Sequence, residues 1–269
     1  MKIKHLGEMT GPVLVFGGVY SNLQALTALI ARAEAMGVAP QNMICTGDVV
    51  AYCADPAACV KRIRELGCSV LMGNCEEQLA QGGDDCGCGF DTGSTCSILS
   101  RGWYAHCQDQ IGDDDRRWMR ELPYRITFDH GGLRYGVVHG AASDISKFIW
   151  PVTPPGDIAQ ECALLRDQVG RFDRVIAGHT GIAMDATREP AGWLNAGAIG
   201  MPANDGRSET HFAMLSEGEF TLHTLSYDHQ GAAQAMRDVG LTQGYDRCLQ
   251  SGYWPSEEVL PSVMRSGKK

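Results

Sequence analysis

The sequence has no apolar run long enough to cross a membrane as a helix. Near its start, Lys2 and Lys4 are followed by Glu8, Thr10, Gly11 and Pro12, which interrupt any signal-peptide core. A cytoplasmic protein that does not act on membranes is the expectation. There is no internal repeat and no low-complexity linker. Basic residues are in deficit: 23 Lys and Arg stand against 32 Asp and Glu, a net charge of −9. That balance disfavours a protein that tracks a nucleic-acid polymer electrostatically. Small anionic ligands stay in play where a metal or helix N-termini supply local positive charge. The 11 cysteines are odd in number and scattered, so they do not form a disulfide framework. In a cytosolic chain most act as small buried apolar residues, with a minority in metal or redox roles.

What is present is a globular composition. Of 269 residues, 44% are apolar and 20% charged, enough for a full hydrophobic core. A single domain over residues 1–269 is expected, with a poorly ordered tail from about 254 to 269, where Pro and Ser recur.

The recurring unit is a short apolar strand, a glycine-bearing polar turn, then a helix. Val13–Phe16 ends in Gly17-Gly18, and Asn22 can cap a helix with Leu23, Leu26, Leu29, Ile30 and Ala33 at helical spacing up to Gly37. Met43–Thr46 ends in Gly47-Asp48. Asp55-Pro56 then opens a helix that Gly67 closes. Ser69–Met72 ends in Gly73-Asn74, Arg134–Val138 in His139-Gly140, and Arg174–Ala177 in Gly178-His179-Thr180. Helices are expected over Ser97–Ile111 and Asp113–Leu122, a hairpin over His211–Leu225, and a final helix near Ala232–Val239. This is α/β grammar, in which ligands gather beyond the carboxyl ends of the strands.

Each strand-end residue alone is a weak signal: Asp after Gly is ordinary turn chemistry, and His is often structural. Together, Asp48, Asn74, His139 and His179 offer two oxygen and two imidazole donors. Such mixed ligation suits Zn, Mn or Fe better than calcium.

The wording of Gly47-Asp48, Gly73-Asn74, Val138-His139-Gly140 and Gly178-His179-Thr180 resembles the calcineurin-like metallophosphoesterase superfamily. The branch it is most similar to is that of small bacterial phosphodiesterases and diadenosine-tetraphosphatase-like proteins. Asn22-Leu23-Gln24-Ala25-Leu26, Gly47–Tyr52 and Leu194–Pro202 extend the likeness over nearly the whole chain. The resemblance implies a four-layer α-β-β-α sandwich of two mixed β-sheets flanked by helices, with the site at the strand ends. It also implies a metal-dependent hydrolase of a small phosphorylated substrate, in which two ions clamp a phosphate. Asp48 would bridge the ions, and Asn74, His139 and His179 would complete the second ion's set.

The first ion's set departs from that pattern. Gly18 stands where the resemblance implies an aspartate, Tyr20 where it implies a histidine, and Gly181 where it implies another. Cys75 replaces a histidine thought to assist the phosphate, making it, with Asp48, a catalytic candidate. Three readings stay open. In a rebuilt site, Tyr20 ligates iron as a phenolate, or Cys75, Cys86 and Cys88 supply soft ligands to a zinc or iron ion. In a single-metal hydrolase, the four intact ligands suffice. In a degenerate site, the fold binds or senses a metal or phosphate ligand without hydrolysis. Asn195 and His211, in and after the Leu194–Pro202 turn, are candidates for substrate contact.

Overall fold

The computed structural model describes residues 1–90, 93–186 and 192–266. Among these residues, none of the helices is long and apolar enough to cross a membrane.

Two mixed β-sheets carry the architecture. One is built on β2 (Val13–Phe16), β3 (Met43–Cys45) and β4 (Ser69–Val70), which run parallel. Its other edge is the hairpin of β10 (Thr210–Ser216) and β11 (Glu219–Leu225), with β10 antiparallel to β2. The second sheet has the order β1 (Ile3–Glu8), β5 (Arg125–His130), β6 (Leu133–Val137), β7 (Arg174–Ala177), β9 (Trp193–Asn195), β8 (Met184–Ala186). Here β6, β7 and β9 are mutually parallel.

Strand alternation builds the layers. Val13, Val15 and Ile44 face Ile126, Phe128, Val137 and Ile176 across the two sheets. Leu14, Phe16, Met43 and Cys45 face the other way, onto helices. Strands buried on both faces read as continuous apolar runs, which is why Val13–Phe16 lacks a polar position. Covering the first sheet are α1 (Leu23–Ala35), α2 (Pro56–Leu66), α4 (Thr95–Gln110) and α7 (His229–Asp238). The second sheet's outer face packs on α6 (Pro155–Val169) through Ile158, Cys162, Leu165 and Val169. Each fully buried side chain of this kind contributes roughly 1.5–3 kcal/mol.

Helix ends follow the expected chemistry. Asn22 Oδ1 accepts the Ala25 N–H at 3.0 Å, a cap worth about 1 kcal/mol. Pro56 occupies the first turn of α2, and Gly67 ends it in the left-handed conformation at φ +71°. The helix expected over Ser97–Ile111 begins two residues earlier, because Ser94 Oγ caps it by accepting the Ser97 N–H. The strand expected to reach Met72 pairs only over Ser69–Val70. Two further helices were not evident from periodicity: α3 (Asn74–Gln81) and α8 (Tyr245–Ser251). Between α4 and β5 lies α5 (Asp113–Glu121), whose three leading aspartates sit in its first turn.

The tail expected to be poorly ordered from 254 is instead docked through residue 266. Trp254 Nε1 donates to the Pro202 carbonyl at 2.7 Å, and Leu260 is buried. Residues 267–269 lie outside the described residues.

Candidate metal centre

The carboxyl ends of β2, β3, β6 and β7 converge, and the turns after them carry the predicted ligands. Asp48 and His179 both adopt the left-handed backbone, at φ +55° and +63°. Such conformations cost about 1–3 kcal/mol each in non-glycine residues and gather at functional sites. One ligand atom from each of Asp48, His139 and His179 lies within 4.8 Å of the others.

The orientation of each donor is enforced from behind. His139 Nδ1 donates to the Thr46 carbonyl at 2.7 Å, which directs Nε2 into the centre. Nε2 stands 3.0 Å from Asn74 Oδ1 and 3.3 Å from Asp48 Oδ2. The Asn74 amide cannot turn round, because its Nδ2 donates to the Cys86 carbonyl at 2.8 Å. A neutral imidazole would thus aim a lone pair at two oxygen lone pairs. Only a positive charge between them, a proton or a metal ion, makes the arrangement favourable.

His179 completes the group. Neither buried ring nitrogen makes a well-aligned hydrogen bond among the described residues, the Ser146 backbone being a weak partner at most. An imidazole stripped of water and left unbonded is costly. It lies 5.1 Å from the His139 ring and 4.3 Å from Phe148, centroid to centroid. Burial, aided by His139, drives its pKa down to about 3, so the ring is neutral and able to ligate. Burial works against the Asp48 charge, but His139 outweighs it and holds the carboxyl below the usual carboxylate range. The reverse holds at His139, where burial favours the neutral ring and Asp48 raises its basicity.

Glu76 was not singled out by sequence reasoning, yet it organises the turn that carries Asp48. Its carboxylate, wholly buried, accepts the backbone N–H groups of Asp48 (2.8 Å), Val50 (3.1 Å) and Gly73 (3.1 Å). Burial and the nearby Asp48 push its pKa up to about 7. The available signal was its place at the third position of α3, where an acidic side chain can accept the N-cap backbone N–H, here that of Gly73.

The residues where the resemblance implies a first ion take a different form. A Cβ on Gly18 would meet Tyr20 Cζ at 2.5 Å, and one on Gly181 would lie 3.4 Å from Tyr20 Oη. The tyrosine ring therefore fills space that side chains at both glycines would need. Burial, then the Asp48 charge, raise the Tyr20 pKa far above that of an ordinary phenol. Among the described residues, the acidic and imidazole donors gathered here are those of one group, Asp48, His139 and His179.

The cysteines lie behind Asn74. Its Nδ2 is 3.5 Å from Cys75 Sγ and 3.4 Å from Cys88 Sγ. The Cys75 thiol shares a hydrogen bond with Cys88 that works to lower its pKa, but burial and Asp48 outweigh this and raise it. Cys88 lines the cavity above the centre; Cys75 and Cys86 do not. Asn195 is used internally. Its Nδ2 donates to the Gly178 carbonyl (2.7 Å) and Thr180 Oγ1 (3.1 Å), and its Oδ1 accepts the Gly197 N–H (2.8 Å). His211 lines a separate surface depression with Asp205, Arg207 and Glu209.

Above the centre is a cavity walled by aromatic side chains. Phe148 stacks on Trp150 at 5.0 Å, and Tyr52 packs between Tyr20 and Tyr245 at 4.9 and 4.7 Å. These rings gave no periodic signal that tied them to the site.

Comparison with known proteins agrees with this fold. A metallophosphoesterase from Sphaerobacter thermophilus superposes with a TM-score of 0.69 at 21% identity, covering 91% of this chain and 100% of that one. A hypothetical protein from Pyrococcus horikoshii gives 0.71 at 18% identity, covering 90% and 98%. These likenesses are of fold. An uncharacterized protein of Methanocaldococcus jannaschii is 23% identical over 233 residues, 81% of this chain and 87% of the relative. Residues 13–218 match the calcineurin-like phosphoesterase superfamily domain, most of the chain and every strand end described above. The chain belongs to the calcineurin-like phosphoesterase superfamily.

Proposed function

We propose that this chain is a metal-dependent phosphoesterase that works with one transition-metal ion, Zn, Mn or Fe, on a small phosphate ester. The observation that carries this reading is His179, which places one ring nitrogen within 4.8 Å of ligand atoms of Asp48 and His139 and has no well-aligned hydrogen bond to either buried nitrogen among the described residues. Asp48, Asn74, His139 and His179 would hold the ion. When bound, it supplies a Lewis acid for the phosphoryl group and for water. Thr46 and Cys86 fix the rotation of His139 and Asn74 through their carbonyls, and Glu76 holds the Asp48 turn by its backbone. The Cys75 thiol, protonated and turned toward Cys88, positions Asn74 rather than attacking phosphorus. Tyr20 enters as the residue that closes off a second ion.

A test is phosphate release from ethyl phosphate, and alcohol release from an aryl phosphodiester, with Zn, Mn and Fe supplied in turn. Hydrolysis of either that Asp48→Ala abolishes is the expected result. Rates no faster than those of Asp48→Ala under every metal would overturn it. That outcome would favour the second reading, a metal- or phosphate-ligand-binding protein without hydrolysis. One observation supports this alternative: no Lys or Arg is among the described residues that line the cavity, so the protein itself offers little to stabilise a developing phosphoryl charge.

A further inference from the structure

The cavity over Asp48 and His179 is about 60 Å³. That is room for a few water molecules, and far below the roughly 300 Å³ at which pockets for larger ligands begin. Part of its wall is contributed by a segment remote in sequence. Trp254, Ser256 and Val259 line it together with residues of the strand-end turns. This segment lies outside residues 13–218, which match the family domain.

Polar fasteners hold the segment in place. Trp254 N–H donates to Asn204 Oδ1 at 2.8 Å, and its indole to the Pro202 carbonyl at 2.7 Å. Asn204 Nδ2 donates to Glu257 Oε1 at 2.6 Å. The Glu258 carboxylate accepts from the Thr95 N–H (2.6 Å) and hydroxyl (2.9 Å) at the start of α4. Leu260 is its one fully buried apolar anchor among the described residues. Few buried apolar contacts and partly exposed hydrogen bonds are the marks of a segment that opens at less cost than the core.

We propose that the C-terminal segment 252–266 is the wall that sets the size of ligand this site admits, with Trp254 as its central side chain. Closed, the site takes a phosphate-sized oxyanion with at most a small apolar substituent and excludes nucleoside-sized esters. The lack of a lining Lys or Arg among the described residues points the same way, since a polyphosphate would bring several charges to one metal ion. The statement about ligand class rests on the function proposed above; the statement about the wall does not.

Cys96 gives a reporter independent of metal and activity. It lines the same cavity from α4 and is 4% exposed. Cys88 is less suitable, because it also borders a wide polar groove on its other side. Labelling with iodoacetamide and with a bulky aryl maleimide, located by peptide mass spectrometry, reads how open the cavity is. Trp254→Ala is expected to speed maleimide labelling of Cys96 by at least about tenfold, with Trp254→Phe close to wild type and Cys59, buried in the core, unchanged in all three. Unchanged labelling of Cys96 in Trp254→Ala would overturn the proposal. So would a parallel rise at Cys59, since the segment would then hold the whole domain rather than the site.

Calorimetry on the zinc-loaded protein tests ligand class, with methylphosphonate and adenosine 5′-monophosphate as probes. The wild type is expected to bind methylphosphonate at least about tenfold tighter, and Trp254→Ala to narrow that gap. Equal or tighter binding of the nucleotide to the wild type would overturn the size limit. If neither probe binds either protein while Cys96 behaves as expected, the metal-phosphoester reading fails and the wall stands.

Discussion

Tyr20 and Gly18 occupy each other's space: a Cβ added to Gly18 would come within 2.5 Å of Tyr20 Cζ. Two substitutions that look in sequence like separate losses of metal ligands are thus one packing solution, in which a glycine makes room for a ring. Gly18 also sits at φ +48°, where a side chain is strained on its own account. Gly18→Ala is expected to destabilise the protein by about 2–4 kcal/mol. In a Tyr20→Ala background that cost should fall by about 1–3 kcal/mol, the coupling expected of residues in contact. Denaturant unfolding of the four proteins of the cycle checks it. Additive costs would mean that the ring and the glycine are independent.

Glu76 makes a second prediction, about the turn beneath the site. A carboxylate serves its three backbone donors with both oxygens, whereas an amide presents one oxygen and one NH₂ group. Glu76→Gln should therefore leave at least one buried N–H unpaired, a loss of about 2–4 kcal/mol in unfolding free energy. Metal retention should weaken with it, because Asp48 is carried on that turn. Wild-type stability in the variant would show that the turn holds its shape without the carboxylate.

Part of the loss of stability expected in acid falls to Glu161 on α6. Burial disfavours its charge, but Lys147 Nζ at 2.6 Å and the Ser143 hydroxyl and N–H outweigh this and lower its pKa. A carboxyl depressed in the folded state stabilises above its unfolded value, about 4.3. That contribution is lost as pH falls through the lower native value. Glu161→Gln should cost about 1–3 kcal/mol near neutral pH, and the difference from wild type should shrink below about pH 4. A difference that stays constant down to pH 3 would contradict the assignment.

Much of this fold was legible because its strands and turns are local chemistry. The run Val13–Phe16, the Asn22 cap and the Asp55-Pro56 and Gly67 ends of α2 each follow from neighbouring residues alone. Asp48, Asn74, His139 and His179 were legible as a set because each follows a short apolar strand beside a glycine. What escaped is non-local. Glu76 gains its role from backbone donors 26 and 28 residues away. The aromatic wall joins Tyr52, Phe148 and Trp254 from three distant stretches, and no spacing rule links them. The tail looked unstructured because its Pro and Ser content is that of a loop; its order comes from partners at Thr95, Pro202 and Asn204.

The most direct test of the single-ion account is elemental mass spectrometry on protein purified without oxygen or chelator. The account predicts about one transition-metal ion per chain, falling to near zero in Asp48→Ala and in His179→Ala while both variants remain folded by circular dichroism. Near two ions per chain would mean that Tyr20 and Gly18 leave room for a second site after all. A wild-type protein with none, even after incubation with zinc, manganese or iron, would contradict the metal centre itself.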